Sequence, residues 1–153
     1  MTIMIGDQVD VVIDAYLSKK HLLERFMNAV VDTFRLEPTL NSYADPIIHT
    51  IKNRLKDPGH LRDKIARKGN PDDPITVGNL FRRVTDLAGV RVLHLYQDQF
   101  PRIHRHIQQQ IDEGEWYFGE PPVAYSWDPE SRDFFQELGL EPKIKDSYYT
   151  SIH

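Results

Sequence analysis

From Asp7 to Pro38 the apolar side chains return every three or four residues, at Val9, Val12, Ile13, Tyr16, Leu17, Leu23, Met27, Val30, Val31 and Phe34. That spacing predicts one long amphipathic helix over residues 8–36. Asp7 is the expected N-cap and Pro38 the stop. This element is scaffold and is assigned no chemistry. Residues 47–56, IIHTIKNRLK, admit two readings. As a strand, Thr50, Lys52, Arg54 and Lys56 share one face. As a helix, Lys52 and Lys56 are neighbours and Arg54 points elsewhere. Asp57-Pro58-Gly59 breaks the chain in either case. A helix is expected next, with Leu61 and Ile65 inward, His60, Lys64, Arg67 and Lys68 outward, and Gly69 as its C-terminal stop.

Residues 70–74 form a loop by composition, and residues 76–86 a short helix. AGVRVLHLY, from Ala88 to Tyr96, is the strongest strand in the chain. It is β-branched and almost continuously apolar, so it is expected to be central and buried on both faces. Residues 99–113 are helical by pattern. Residues 117–127 hold a strand interrupted by Gly119-Glu120-Pro121-Pro122. Asp128-Pro129 starts a helix with Phe134, Phe135 and Leu138 on its apolar face and Gly139 at its end. Residues 144–153 are a final strand. Helices alternating with strands predict an α/β (α+β) domain on one mixed sheet.

Composition narrows the class. With 153 residues, 40% hydrophobic and 27% charged, the chain fits one globular domain. The absence of cysteine removes disulfides, thiolate nucleophiles and cysteine–zinc sites, and it is compatible with a cytoplasmic location. No apolar run approaches a membrane span, and MTIMIGDQVD lacks the basic start of a signal peptide. The net charge of −4 excludes a histone-like basic coat. The charge is uneven. Residues 49–69 hold seven Lys or Arg against two Asp, whereas residues 112–141 hold nine acids against Arg132. A basic centre in an acidic chain suggests a confined anion site; two solvated faces are the plainer account.

Three clusters carry candidate chemistry. If the strand–turn–helix reading holds, Arg54 and Lys56 leave one strand face about 6–7 Å apart. Lys64 then returns toward them from the following helix. Three cations beside a helix N-terminus suit a polyphosphate, while an exposed basic edge strand is the alternative. Asp86 precedes the strand that holds Arg91. Such a carboxylate can hold Mg²⁺ together with phosphate oxygens, or it can pair with Arg91 or Arg83. An Arg buried in that strand needs a partner. At the C-terminal end, Tyr149, Ser151 and His153 share a strand face. A Tyr ring there can stack on a base, with Lys and His on phosphates, or the segment is simply a half-buried edge strand. The seven histidines form no metal motif, and no glycine-rich phosphate loop is present.

In chain order, Arg54-Leu-Lys56 with Lys64, Asp86-Leu-Ala-Gly-Val-Arg91, Lys143-Ile-Lys145 and Tyr149-Thr-Ser-Ile-His153 form a pattern. With it the chain resembles the synthetase domain of the RelA/SpoT family, the (p)ppGpp synthetases or GTP pyrophosphokinases. The resemblance spans residues 49–153, with the N-terminal helix fitting loosely. It implies a nucleotidyltransferase-like mixed sheet flanked by helices, with a catalytic-type core over residues 47–153. The implied reaction is Mg²⁺-dependent transfer of diphosphate from ATP to the 3′-hydroxyl of GTP or GDP. It further implies that Arg54, Lys56, Lys64 and Arg91 bind ATP and that Asp86 is the catalytic, Mg²⁺-holding carboxylate. Lys145, Tyr149 and His153 would bind the guanine nucleotide.

The chain departs from that pattern in three places. His60 stands where many members have Ser, and Tyr148 where many have Gly. The family's second acid, a Glu in an E-x-Q strand, falls past His153, so the resemblance implies a single domain incomplete at its C-terminus, with weakened turnover. Two alternatives share the cluster. One is a family toxin that pyrophosphorylates tRNA 3′ ends. The other is a non-catalytic nucleotide-binding or oligomerisation module, and a homo-oligomer is compatible with any of the three. The histidine–aspartate motif of the family's hydrolase domain is not found, so no hydrolysis is expected.

Overall fold

A run without proline and with no glycine after Gly6 lets the first helix extend through 31 residues. The computed structural model of the protein describes residues 5–145 and 150–153. Helix α1 covers Ile5–Arg35, so Asp7 lies within the first turn instead of capping it. Its carboxylate still favours the helix dipole from there. At the other end the Asn41 side-chain amide donates to the Phe34 and Glu37 carbonyls, each at 2.8 Å. The bond to Phe34 satisfies one of the acceptors that a helix end leaves open, and the bond to Glu37 holds the turn that follows.

The chain packs as two compact units, residues 1–95 and 96–153. In the first, strand β1 (Thr50–Leu55) pairs antiparallel with β2 (Ala88–Leu93), so the strand reading of the 47–56 segment holds over Thr50–Leu55. Helix α2 (Pro58–Lys68) lies between them in sequence, followed by a single helical turn, α3 (Leu80–Arg83), where a longer helix was expected. Val12, Ile13 and Tyr16 of α1 close over Leu61 and Ile65 of α2 and over Ile75, Leu80, Val84 and Leu87. This cluster is the unit's core.

Strand β2 is not central. Its one partner among the described residues is β1, and its residues are half-buried or exposed. Alternation explains this. Ala88, Val90 and Val92 share one face with Ile51, Asn53 and Leu55, whereas Gly89 and Arg91 fall on the face of Lys52 and Arg54. A strand with Arg91 on one side has only one apolar face to bury.

In the second unit, β3 (Val123–Ser126) is the middle strand, parallel to β4 (Glu141–Ile144) and antiparallel to β5 (Ser151–Ile152). The described residues thus form two sheets, not the one mixed sheet expected. Phe100 of α4 (Phe100–Asp112) and Phe135 of α5 (Pro129–Glu137) pack with Ala124 and Leu140. Asp128 caps α5 as predicted, accepting from the Glu130 and Ser131 amides, and Gly139 ends the turn at φ +84°. The Tyr117–Trp127 strand is reduced to its last part, because Gly119 to Pro122 take no regular structure.

Gly69 ends α2 for a different reason from the one expected. Its φ of −84° is open to any residue, so no left-handed turn requires it. A Cβ at this position would sit 2.9 Å from the Ile65 carbonyl oxygen and 3.2 Å from the Ile75 amide nitrogen. Both are backbone atoms and cannot swing away. Gly69→Ala should therefore destabilise the protein by about 1–3 kcal/mol in urea unfolding. Gly78→Ala, whose Cβ would meet nothing nearer than 3.8 Å, should stay within about 0.5 kcal/mol.

Candidate functional site

The antiparallel ladder runs one step past β1, because the Lys56 amide donates to the Leu87 carbonyl at 2.8 Å. That step places Lys56 beside the residue preceding Leu87, which is Asp86. The buried Tyr16 hydroxyl fixes the backbone there by donating to the Lys56 carbonyl at 2.6 Å. Burial, and secondarily the Asp57 carboxylate, raise the pKa of that hydroxyl, so it remains a donor. From α2, the buried Leu61 and Ile65 set the helix rotation that turns Lys64 toward the same point.

Three side chains from three segments meet here. Lys56 Nζ lies 2.8 Å from Asp86 Oδ2, and Lys64 Nζ lies 2.6 Å from Oδ1. Each carboxylate oxygen thus accepts from one ammonium group. The side chains are 12%, 18% and 37% exposed for Lys56, Lys64 and Asp86. Burial alone would raise the Asp86 pKa, but the hydrogen bonds from Lys56 and Lys64 and their charges outweigh it and bring it to about 2. The cluster keeps a net charge of +1.

Arg54 and Arg91 do not join this cluster. Both are exposed on the open face of the two-stranded sheet. Arg54 stands opposite Gly89, and Arg91 stands directly opposite Lys52. None of Lys52, Arg54 and Arg91 makes an ion pair among the described residues. Like charges placed directly across a sheet repel, so an anion over this face would relieve a cost already present. Arg91 is therefore not the buried, partnered arginine expected, and Asp86 pairs with neither Arg91 nor Arg83. Arg83 binds Asp73 at 3.1 Å and the carbonyls of Asp73, Pro74 and Lys68.

The α2 N-terminus is likewise not an open anion site. The Asp57 carboxylate accepts from the His60 amide at 3.1 Å, and the amide hydrogen bonds from His60 and Gly59 hold its pKa low despite some desolvation. Lys64 lies nearly two turns further along and acts through its side chain.

In the second unit, Tyr149 lies outside the described residues. Lys145 and His153 come together around Tyr125. The Lys145 amide donates to the Ser126 carbonyl at 3.3 Å, and His153 exchanges two 2.8 Å backbone hydrogen bonds with Val123. The two residues are thus tied to β3 on either side of Tyr125. Lys145 Nζ lies 5.9 Å from the Tyr125 ring centroid, and the His153 ring meets that ring edge-on at 5.2 Å. Tyr125 was not singled out from sequence. Its place beside Ser151 and Lys143 depends on pairing between distant strands, although period-two alternation in Val-Ala-Tyr-Ser does separate it from buried Ala124 and Ser126.

Among the described residues no three His, Asp or Glu side chains gather as a metal site. Asp86 brings one carboxylate, and two ammonium groups occupy both of its oxygens. That donor set fits Mg²⁺ only as an ion carried on a polyphosphate that supplies the remaining oxygens, not as a resident metal centre. No helix among the described residues is long and apolar enough to cross a membrane. No family model, curated protein or solved structure matches the chain.

The depressed Asp86 pKa fixes a pH dependence. An Asp whose folded pKa lies below its unfolded value of 3.8 stabilises the fold above that pH, and the contribution fades as pH falls toward 2. Discounted for a carboxylate that is 37% exposed, it amounts to about 1 kcal/mol. Asp86→Asn should therefore melt below the parent protein at pH 7. The two melting curves should converge between pH 4 and pH 2 in a thermal-unfolding series.

Proposed function

We propose that the chain is a RelA/SpoT-type synthetase domain with a nucleotidyltransferase-like fold, which transfers diphosphate from ATP to the 3′-hydroxyl of GTP or GDP. One observation supports this reading above the others. Lys56 and Lys64 belong to one of the four stretches that carry the resemblance and Asp86 to a second, and the three side chains meet within hydrogen-bond distance.

In this reading Lys56 and Lys64 hold the ATP phosphates, and Arg54 reaches them from the open sheet face. Arg91 lies against the adenine. Lys145, Tyr149 and His153 hold the guanine nucleotide. Mg²⁺, when bound on the phosphates, offsets part of their charge, and Asp86 is the side chain that would hold it. The acceptor O3′ forms a bond to the β-phosphorus of ATP, the α–β bridging bond breaks, and AMP leaves. Phosphoryl-type transfer asks mainly for positioning and charge neutralisation, which these cations supply. In the unliganded protein the Lys56 and Lys64 hydrogen bonds keep Asp86 ionised, with a pKa of about 2. In this reading Asp86 acts through that charge, and the acceptor proton goes to another base.

The test supplies the protein with ATP labelled in its β and γ phosphates, together with GTP or with tRNA. Labelled guanosine 3′-diphosphate product is expected. Label on the 3′ end of tRNA instead would move the acceptor and keep the donor site. No product on either acceptor would overturn the reading. Arg54→Ala should weaken ATP binding on the order of ten-fold in calorimetry and leave the melting temperature unchanged, because the side chain is exposed and makes no ion pair among the described residues.

A further inference from the structure

The arrangement around Asp86 carries a consequence for which form of ligand the site accepts. Both half-buried lysines already have an anionic partner, the Asp86 carboxylate, on the ammonium groups that in this reading hold phosphate. An incoming polyphosphate must therefore draw Lys56 and Lys64 off Asp86. If it arrives bare, the exchange leaves the Asp86 carboxylate facing phosphate oxygens across a few ångströms, where like charges repel strongly. If it arrives with a divalent cation, the freed carboxylate meets positive charge and the exchange is balanced.

We infer that Asp86 is a specificity-determining residue: by holding Lys56 and Lys64 in the ligand's place, it makes the site select a metal-loaded triphosphate over a metal-free one. The inference rests on the donor-site reading proposed above and adds the form of the substrate. It assigns Asp86 an effect opposite to that of a residue needed simply for binding. Removing its charge should strengthen the hold on a bare polyphosphate, because two ammonium groups are released and one repulsion disappears.

The probe is inorganic tripolyphosphate, titrated by calorimetry in EDTA and again with excess Mg²⁺. The parent protein should bind the Mg²⁺ form more tightly. Asp86→Asn, which keeps the size and an acceptor oxygen, should lose that preference and bind the metal-free form on the order of ten-fold more tightly than the parent does. Equal or weaker metal-free binding by a folded Asp86→Asn would overturn the inference. The parent protein alone provides a second measurement that does not depend on the variant folding. The ¹⁵N resonances of the Lys56 and Lys64 ammonium groups should move at lower concentrations of Mg²⁺-tripolyphosphate than of the metal-free ligand. Identical titration curves for the two forms would also overturn it. If tripolyphosphate and ATP both fail to bind either protein under any condition, the donor site itself is refuted. Binding without selectivity refutes only the role given to Asp86.

Discussion

One carboxylate shared between two ammonium groups organises the first unit of this protein. Lys56 and Lys64 are largely enclosed, where an unpaired charge is costly, and Asp86 supplies a partner to both. The pairing ties the end of β1, the middle of α2 and the approach to β2 to one point. Each segment reaches it for a separate reason: a ladder step beyond β1, the rotation set by Leu61 and Ile65, and the core position of Leu87 next to Asp86.

The open sheet face has the opposite character. Lys52 and Arg91 stand across from each other with no ion pair to either among the described residues, and Arg54 adds a third positive charge opposite Gly89. A fold selected for stability alone gains nothing from such a face. The cluster around half-exposed Asp86 keeps a net charge of +1, and Lys52, Arg54 and Arg91 make no ion pair among the described residues, so the positive charge of this unit is only partly compensated.

Much of this was legible from the residues. The long helix, α2 with its two inward side chains, the Asp128-Pro129 start of α5 and the turn at Gly139 follow from periodicity and capping, which act over a few residues. The errors came where tertiary pairing decides. The apolar run of β2 suggested a buried central strand, but its fate depended on how many neighbours the sheet has, and Arg91 already marked one face as wet. Gly69 does end its helix as expected, and the reason is the close backbone of Ile65 and Ile75, which leaves no room for a Cβ. Asp86 was recognised as a candidate, while its choice of Lys56 and Lys64 over Arg83 and Arg91 required coordinates. Tyr125 went unnoticed because its neighbours Lys145 and His153 are about twenty or more residues away along the chain.

The hydroxyl of Tyr16 gives the N-terminal helix a share in this arrangement. It is fully enclosed and grips the backbone carbonyl of Lys56 directly. The helix is therefore not an appendage resting on the unit but a direct support of the strand end that carries Lys56. Loosening it by a fraction of a turn would withdraw that support without touching any charged group, so the scaffold and the lysine–aspartate cluster should loosen as one cooperative piece.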